Sequence, residues 1–472
     1  MTAWEPVIGL EIHIHLKTRT KMFCRCALEY GAPENTRTCP ICLGHPGVLP
    51  IPNAKAIEWT IKLGLALGCE VASRSLFHRK NYFYPDLPKG YQISQYDEPL
   101  CTGGRVSLPL EDGHVRIGIT RAHLEEDAAK SIHVGGEGGR IVGADRTLVD
   151  FNRGGTPLVE IVTDPDLRSA EQARRFLQLL RQTVVELGIS DAEMEKGSLR
   201  CDANVSVRPA GSEELRTRWE LKNMNSFRFV GRGIEAAVRE QIALHEAGTP
   251  LVQETYDYRP ETDRLTPHRT KEEPDDYRYF PEPDLVPLAP PRELVERLRA
   301  EVPELPGERL RRLEREYELS FADASDLNDS PALVSLFERV VEEGVEAKAA
   351  ANVLINELKA DAAAVDAGEA AKLISARDTI PRDVFREALA RSADPGFSAD
   401  SYVAEAAITD TSELEPLVER VLAENEGQVA AYRSGKEGLL GYFVGQVMRE
   451  TEGKADPRVV NELLREKLKA PV

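Results

Sequence analysis

The chain has 472 residues, of which 42% are hydrophobic and 29% are charged. Because a single core rarely extends over so many residues, we expect roughly two to four domains. The sequence contains 60 Lys and Arg residues and 79 Asp and Glu residues, so its formal net charge is -19. This balance excludes a protein that binds nucleic acid through a uniformly basic surface, although one domain can still carry a basic patch. There is neither an apolar run of about 18 residues nor a recognisable signal peptide, and we expect a cytoplasmic protein without membrane contacts.

The first predicted strand, Ile8–Leu16, has one apolar and one polar face. Side chains alternate between the two faces of a strand, so Glu11, His13 and His15 share the polar one. A carboxylate two residues from an imidazole suits a metal site or acid–base chemistry. A half-exposed strand with a polar outer face explains the same pattern.

Two later strands repeat this design. In Leu199–Val207, Asp202 and Asn204 share the polar face. In the strand after it, Glu220 and Lys222 lie on one face. If these strands adjoin the first one, their polar faces form one charged surface on a single sheet, but the sequence does not define that register.

Further acidic residues stand out in the first half of the chain. Glu160 lies inside the apolar run Pro157–Val162, where a carboxylate is either at an edge or buried and in need of a cation. Glu125, Glu126 and Asp127 are adjacent, which also fits a solvated turn or a helix start. Acidic residues collected in one place suit Mg²⁺, which prefers oxygen ligands and commonly binds nucleotide phosphates.

The stretch HRKNYFYPDLPKGYQ supplies cations for phosphate chemistry. It contains Arg79, Lys80 and Lys89, and its prolines and aromatic residues predict a rigid loop rather than a regular element. Phosphoryl transfer requires such positive charges close to the transferred group. The chain has no GxxxxGKS/T motif, so any nucleotide is held by another arrangement.

Four cysteines predict a structural zinc site. They form two pairs separated by twelve residues: Cys24, Cys26, Cys39 and Cys42. Two such pairs are typical of tetrahedral zinc, although the first pair is tighter than the usual spacing. The alternative is four reduced cysteines in a loop. The cysteines at 69, 101 and 201 are predicted to be small core residues.

The proline-rich segment PEPDLVPLAPP at residues 281–291 marks the clearest domain boundary. Nearly everything after it has helical patterns, and a second boundary is predicted near residues 405–412. We therefore expect three domains, at residues 1–291, 292–408 and 409–472. The predicted fold class is α+β: a cradle domain built on a mainly antiparallel sheet with flanking helices, an all-α middle domain and a small all-α tail.

Several longer motifs resemble one known family, and they occur in that family's order. They are GLEIHIHL, CPICLGHPGVLP, RKNYFYPDLPKGYQISQYD, HLEEDAAK, LVDFNRGGTPLVEIVTDPD, GSLRCDANVSV, ELKNMNSFR, DYRYFPEPDL and, near the C-terminus, GLLGYFVGQVMRETEGKADPRVVNELLREKL. Together they cover almost the whole chain, which resembles the B subunit of the aspartyl/glutamyl-tRNA amidotransferase.

The resemblance implies an activity and partners. In that family the B subunit uses ATP and magnesium to phosphorylate the side-chain carboxylate of Glu-tRNA(Gln) or Asp-tRNA(Asn), and ammonia then gives the amide. An amidase A subunit releases the ammonia from glutamine, and a small C subunit clamps the two. The resemblance thus implies a heterotrimeric ligase of protein biosynthesis. We recognise no glutaminase nucleophile in this chain, which agrees with that division of labour.

The resemblance also implies site residues. The positions that match the family's magnesium site are Glu11, His13, Glu126, Glu160 and Asp202. Lys80 and Lys89 match the inner mouth of its ammonia tunnel, and we expect them to act in catalysis with the magnesium-site residues. The residues expected to contact ATP are Arg79, Lys80, Asn204, Glu220 and Lys222. The four clustered cysteines match the zinc-binding version of the family, and residues from about 292 match its tRNA-binding helical part.

Some positions depart from the family pattern. Ala129 stands where glycine is usual, and His15 replaces a common glutamine. Tyr256 stands where arginine is common, which questions a phosphate or tRNA contact from that position. Residues 135–143 form a glycine-rich loop that resembles a lineage-specific insertion and is predicted to be a hairpin tip.

Three other functions fit parts of the pattern. A ligase or kinase for a small carboxylate explains the acids and cations but not the separate helical tail. A zinc-stabilised scaffold that only positions tRNA predicts that alanine at Glu11, Glu160 or Asp202 leaves activity intact. A hydrolytic zinc centre fits least, because the acidic set lacks the imidazoles or thiolates that zinc favours. The sequence does not distinguish Glu-tRNA from Asp-tRNA as the substrate.

Overall fold

The computed structural model describes residues 3–136, 143–270, 274–403, 411–451, 455 and 457–469. The chain divides into two compact units, one ending at Glu308 and one beginning at Arg309. The first combines a large sheet with helices and the second is helical where it is described, which confirms the predicted α+β class. The centre of the glycine-rich loop and the predicted boundary at 408 lie outside the described residues. The three-domain division stays a prediction.

Strands dominate the first unit. They are β1 (Trp4–His15), β2 (Glu70–Val71), β3 (His78–Asn81), β4 (Tyr91–Ser94), β5 (Cys101–Leu110), β6 (Gly113–Glu126), β7 (Lys130–Val134), β8 (Arg146–Asp150), β9 (Pro157–Thr163), β10 (Leu199–Pro209), β11 (Trp219–Lys222), β12 (Glu254–Arg259), β13 (Arg264–Thr270) and β14 (Phe280–Pro281). A nine-stranded sheet has the order β13-β12-β11-β10-β1-β9-β6-β5-β2, with β1 at its centre. Its neighbouring strands are antiparallel except β11 and β12, which confirms the mainly antiparallel sheet.

The apolar face of β1 is fully buried. Its residues, and Leu16 directly after the strand, are all at most 1% exposed: Ile8, Leu10, Ile12, Ile14 and Leu16. They share one core with α1 (Ala54–Ala66), α2 (Ala170–Glu186) and α3 (Phe227–Glu246). Helices α2 and α3 begin after Ser169 and Ser226, whose hydroxyls accept hydrogen bonds from the first turn. Each buried aliphatic side chain contributes about 2 kcal/mol, so this face fixes the orientation of the strand and directs its polar residues away from the core.

A smaller sheet with the order β14-β3-β4 packs against β6. The segment that was predicted to be a rigid loop therefore begins and ends in strands, and only residues 82–90 connect them irregularly. That prediction was wrong at both ends. Strand β3 pairs with β14, which is remote in sequence, and local composition does not reveal such a partner.

Arg79 links the strands of this smaller sheet. Its Nε and Nη2 donate to the two carboxylate oxygens of the buried Glu282, at 2.7 and 2.8 Å. Its guanidinium also lies 4.2 Å from the ring centroid of Tyr91. Arg79 is therefore engaged with Glu282 and Tyr91 in the smaller sheet, whereas the predicted ATP-binding residues of β10 and β11 lie in the large one.

Replacing Arg79 by lysine is expected to lower the thermal unfolding midpoint by a few degrees without changing KM for ATP. A lysine keeps the charge but cannot form the two-point contact with Glu282. Thermal unfolding and ATP kinetics of the assembled enzyme check both statements. A raised KM for ATP with an unchanged midpoint would favour the predicted nucleotide contact of Arg79 instead.

Helices form the remainder of the described chain. They are α4 (Arg292–Ala300), α5 (Pro306–Tyr317), α6 (Phe321–Leu327), α7 (Pro331–Glu342), α8 (Ala347–Asn356), α9 (Ala367–Ser375), α10 (Arg382–Arg391), α11 (Asp400–Val403), α12 (Thr411–Glu424), α13 (Glu426–Arg433), α14 (Leu440–Glu450) and α15 (Pro457–Lys469). Helices α7 and α15 begin at prolines, which suit the first position of a helix. The second unit has two apolar cores, one within residues 310–399 and one within 414–468. No described helix has the length and apolarity that a membrane span requires.

Candidate active site

Polar side chains of four neighbouring strands meet on the sheet face opposite the core. Glu11 lies directly opposite Asp202, and His13 lies opposite Glu160. From the other side, His123 of β6 also lies opposite Glu160. Directly opposed residues of antiparallel strands project to the same side, so these residues share one face. The predicted charged surface on a single sheet is confirmed for β1, β10 and β11, since Glu220 of β11 lies opposite Asn204 of β10.

At the centre of this face is a carboxylate cluster, which consists of Glu11, His13, His123, Glu125 and Glu160. Nε2 of His13 lies 3.5 Å from an oxygen of Glu125 and 3.5 Å from an oxygen of Glu160. It lies 3.9 Å from an oxygen of Glu11, and Nε2 of His123 lies 3.6 Å from Glu160. Two triplets have donor atoms within 4.8 Å of one another: Glu11, His13 and Glu160, and His123, Glu125 and Glu160. Glu160 belongs to both triplets.

Burial and neighbouring charges shift the pKa values of the cluster in opposite directions. Burial raises the pKa of Glu125 to about 7, and burial together with the charge of Glu160 raises the pKa of Glu11. Burial lowers the pKa of the His13 ring, but its hydrogen bond to Glu160 and the charge of Glu125 outweigh burial and raise it to about 9. Burial acts on Glu160 as well, but the charge of His123 and the hydrogen bond from His13 outweigh it and hold the pKa of Glu160 well below its ordinary value. Because oxygen donors dominate, the set fits Mg²⁺ better than zinc.

Glu126, which was predicted to bind magnesium, is not brought into this cluster. It follows Glu125 in β6, and adjacent strand residues project to opposite faces. Its carboxylate pairs with the ammonium of Lys89 and accepts a hydrogen bond of 3.0 Å from the amide of Ile93. Glu125 occupies the place in the cluster that the sequence assigned to Glu126.

Lys89 and Glu126 line a cavity of about 190 Å³. The cavity is also lined by the loop that carries the four clustered cysteines, here called the cysteine-containing loop, including Lys21, Phe23 and Cys24. Both partners of the ion pair are nearly buried, with 9% and 5% of their side-chain surfaces exposed. The cavity therefore adjoins the strand that carries Glu125 but is lined by different side chains.

Positive side chains stand at two edges of the cluster. Nη2 of Arg121 lies 3.2 Å from an oxygen of Glu160. Across the sheet, the ammonium of Lys222 pairs with Asp202 and lies 3.5 Å from Glu220. Burial opposes the charge of Lys222, but Asp202 and Glu220 raise its pKa above the ordinary value. These cations suit a phosphate that approaches the cluster.

Sequence reasoning missed Arg121 and His123. The signal was present, because Arg121, His123 and Glu125 alternate in the same way as the polar residues of β1. It was masked by the three adjacent acids Glu125, Glu126 and Asp127, which also fitted a solvated turn or a helix start. Lys80 is better placed than Arg79, since its charge acts on Glu125 and its Nζ lies 4.6 Å from the ring centroid of Tyr277.

A hollow of about 180 Å³ lies on the same sheet at the opposed residues Gly9 and Asn204, two residues along β1 and β10 from Glu11 and Asp202. Its lining includes Gly9, Asn204, Ser206, Arg216 and Arg218. Asn204 was predicted to contact ATP, and it lies opposite Glu220 in the sheet. Glu220 itself accepts a hydrogen bond of 2.8 Å from Thr255 and lies 3.5 Å from Lys222. The hollow therefore combines hydrogen-bonding groups with two arginines beside the carboxylate cluster.

The four predicted zinc ligands converge. The sulfurs of Cys24, Cys26, Cys39 and Cys42 lie within 4.8 Å of one another. Zinc–sulfur bonds of about 2.3 Å in a tetrahedron require sulfurs about 3.8 Å apart, and those of Cys39 and Cys42 are 3.9 Å apart. A hydrogen bond from Cys24 is the main reason why the pKa of Cys42 falls to about 4. The donor set and spacing fit structural zinc.

Comparison with known families covers both parts of the chain. Residues 6–296 match the GatB/GatE catalytic domain, and residues 335–468 match the GatB domain. The B subunit of the aspartyl/glutamyl-tRNA(Asn/Gln) amidotransferase from Geotalea daltonii is 47% identical over 479 residues, covering 98% of this chain and 99% of the relative. The chain belongs to this family of amidotransferase B subunits.

Other members of the family agree. The B subunits of the same amidotransferase from Halorhodospira halophila and Geobacter sulfurreducens are 48% and 46% identical, over 98% and 99% of this chain and 99% of each relative. The predicted family is confirmed, and the chain is one component of a tRNA-dependent amidotransferase. The carboxylate cluster and the cysteines all lie within the region that matches the catalytic domain.

In this amidotransferase chain, replacing Lys89 by methionine is expected to destabilise the fold by about 3–5 kcal/mol, because it leaves the buried Glu126 carboxylate uncompensated. The double replacement Lys89→Met with Glu126→Gln is expected to recover most of that loss, since the amide oxygen can still accept from Ile93. Thermal unfolding of both variants and the wild type measures the difference. Equal loss in the single and double variants would show that the ion pair does not couple the two residues.

Proposed function

We propose that this protein activates the side-chain carboxylate of Glu-tRNA(Gln), Asp-tRNA(Asn) or both with ATP and Mg²⁺, and then converts it to the amide with ammonia. The observation that carries the proposal is the carboxylate cluster flanked by Arg121 and Lys222. Acids that hold a divalent ion beside phosphate-binding cations are what phosphoryl transfer requires. Family membership supports the transamidation itself.

The residues proposed to hold Mg²⁺ are Glu11, His13, Glu125 and Glu160, with Asp202 beside them. Glu125 takes the place of Glu126 in this proposal because of its position in the cluster. When bound, the ion supplies charge neutralisation for the ATP phosphates. Asp202 is tied to Lys222, so its role is to position that ammonium near the incoming phosphate.

The hollow beside Glu11 is the proposed ATP site. Asn204 and Ser206 offer hydrogen bonds to the nucleoside, and Arg216 and Arg218 offer positive charge. Glu220 acts indirectly, since its contacts with Thr255 and Lys222 fix the lysine. Lys80, on the opposite side near Glu125, is proposed to meet the carboxylate of the aminoacyl group.

The proposed chemistry proceeds in two steps. An oxygen of the side-chain carboxylate bonds to the γ-phosphorus of ATP, and the bond from that phosphorus to ADP breaks. Ammonia then bonds to the carbonyl carbon, and phosphate departs with one oxygen of the original carboxylate and one proton from the nitrogen. Arg121 and Lys222 stabilise charge on the transferred group in the first step. Phosphorylation is needed because a free carboxylate has no leaving group that can be expelled at neutral pH.

The cavity between Lys89 and the cysteine-containing loop is proposed to be the last part of the ammonia route. Its lining includes both polar and apolar side chains, and it adjoins β6, which carries Glu125. An amidase A subunit is the proposed ammonia source, with a small C subunit in a heterotrimer, and the helical second unit is proposed to bind tRNA. The four cysteines are proposed to bind a structural zinc ion that supports the cavity wall.

The test is phosphate release from ATP by the chain assembled with its A and C partners. Mischarged Glu-tRNA(Gln) and Asp-tRNA(Asn) are supplied separately, with glutamine present. Phosphate release stimulated by at least one charged tRNA is the expected result and identifies the preferred substrate. Stimulation by free glutamate or aspartate without tRNA would favour a small-molecule ligase, and amide formation without ATP use would contradict the proposal.

A further inference from the structure

A group of tyrosine rings borders the carboxylate cluster and is not used in the chemistry above. Tyr96 and Tyr279 stack in parallel, with ring centroids 4.3 Å apart and planes inclined by 5°. Tyr277 meets Tyr279 edge-on at 6.1 Å, and Tyr82 meets Tyr277 at 6.2 Å. These four residues are the tyrosine layer.

Backbone contacts hold the tyrosine layer in place. The side-chain amide of Asn81, at the end of β3, donates to the carbonyl oxygens of Tyr277 and Arg278, at 3.2 and 2.8 Å. Tyr279 directly precedes β14, which pairs with β3. The rings are therefore oriented before any ligand arrives, which reduces the entropy cost of binding.

The layer lies close to the reacting groups. Oγ of Ser94 is 3.4 Å from an oxygen of Glu125 and 3.4 Å from Nε2 of His123. Tyr96 follows two residues later, so its backbone lies within about 7 Å of that serine. Burial and then the charges of Glu160 and Glu125 raise the pKa of Tyr279, which agrees with this proximity.

Internal packing does not account for the whole arrangement. Edge-on contacts such as that between Tyr277 and Tyr279 are common in cores. Tyr96, however, stays 44% exposed while it stacks in parallel on Tyr279. Flat, exposed aromatic surface beside a cation such as Lys80 is typical of sites that stack unpaired bases.

We propose that the tyrosine layer stacks with the base of the 3′-terminal adenosine of the charged tRNA and so directs its aminoacyl group to the carboxylate cluster. This inference rests on the proposed function, because it assumes a tRNA substrate. The adenine of ATP has the same stacking chemistry. The hollow with Arg216 and Arg218 lies beside Glu11 and Asp202 and suits a polyphosphate, whereas the tyrosine layer lies beside Glu125 and suits an RNA end.

The experiment compares binding of two deacylated tRNA(Gln) molecules, one intact and one lacking only its terminal adenosine. Fluorescence anisotropy gives both Kd values for wild type, Tyr96→Leu and Tyr96→Phe. The matched control is Tyr30→Ala, which removes a tyrosine that is 90% exposed elsewhere in the first unit. Wild type, Tyr96→Phe and Tyr30→Ala are expected to bind intact tRNA about 10-fold more tightly than truncated tRNA, and Tyr96→Leu is expected to lose that preference.

Other outcomes overturn the inference. The inference is wrong if wild type binds intact and truncated tRNA equally tightly, or if Tyr96→Leu still prefers intact tRNA. It is also wrong if Tyr96→Leu weakens binding of both tRNAs by the same factor. A raised KM for ATP in Tyr96→Leu with an unchanged tRNA preference would assign the layer to ATP instead. The binding assay contains no ATP and requires no turnover, so its failure is distinguishable from failure of the proposed function.

Discussion

Replacing Glu160 by glutamine is expected to lower ATP-dependent amide formation by about 100- to 1,000-fold. Glu160 is the one residue shared by both potential ion-binding triplets of the described chain, and it also contacts Arg121. Glutamine preserves its size and one accepting oxygen but removes the charge that balances His13 and a metal ion. The measurement is amide formed per minute by the assembled enzyme at saturating ATP and charged tRNA, alongside tRNA-dependent phosphate release.

The matched control is Glu5→Gln, which also replaces a glutamate by glutamine, but on β1. Glu5 pairs with Arg208 at 2.7 Å, six residues along the strand from Glu11. That variant is expected to retain wild-type activity. Glutamine hydrolysis by the partner amidase and the thermal unfolding midpoint are measured for both variants, so that misassembly is recognised. If Glu160→Gln assembles normally and forms amide at the wild-type rate, the carboxylate cluster is not the catalytic centre.

Replacing Cys42 by serine is expected to remove one zinc ion per chain and to lower the thermal unfolding midpoint by about 5 °C or more. The hydrogen bond from Cys24 lowers the pKa of Cys42 to about 4, and Nζ of Lys21 lies 3.7 Å from the Cys42 sulfur. Three remaining thiols and a hydroxyl bind zinc much less tightly. Metal analysis of purified protein and thermal unfolding measure the two effects.

The matched control for this experiment is Cys69→Ala. Cys69 is a buried cysteine of the large core and lies outside the four-sulfur group. That variant is expected to keep one zinc ion per chain. Wild-type protein that contains no zinc, or a Cys42→Ser variant that keeps its zinc, would show that the four thiols do not form a zinc site.

Strand alternation predicted much of the candidate site. The polar faces of β1, β10 and β11 were predicted from residue spacing, because the side-chain period of a strand is two whatever its neighbours are. The convergence of the four cysteines was also predicted from spacing. The two cysteines of each pair are close in sequence, so a single contact between the pairs brings all four together.

The remainder depended on contacts between distant parts of the chain. The choice between Glu125 and Glu126 required the pairing of β6 with β9, which aligns His123 with Glu160 and fixes the face of every residue nearby. The role of Arg79 required its partner Glu282, which is 203 residues away. The local alternation shows that Arg121, His123 and Glu125 share a face, but the local sequence identifies neither Glu160 nor Glu282 as a partner.

Transfer of oxygen from the substrate carboxylate to phosphate shows whether the enzyme phosphorylates that carboxylate. Glu-tRNA(Gln) labelled with ¹⁸O in both side-chain carboxylate oxygens is converted by the assembled enzyme, and the released phosphate is analysed by mass spectrometry. If the carboxylate is phosphorylated before ammonia attacks, each phosphate released in amide formation carries one ¹⁸O atom. Unlabelled phosphate formed together with amide, or label found in AMP, would contradict phosphorylation of the carboxylate.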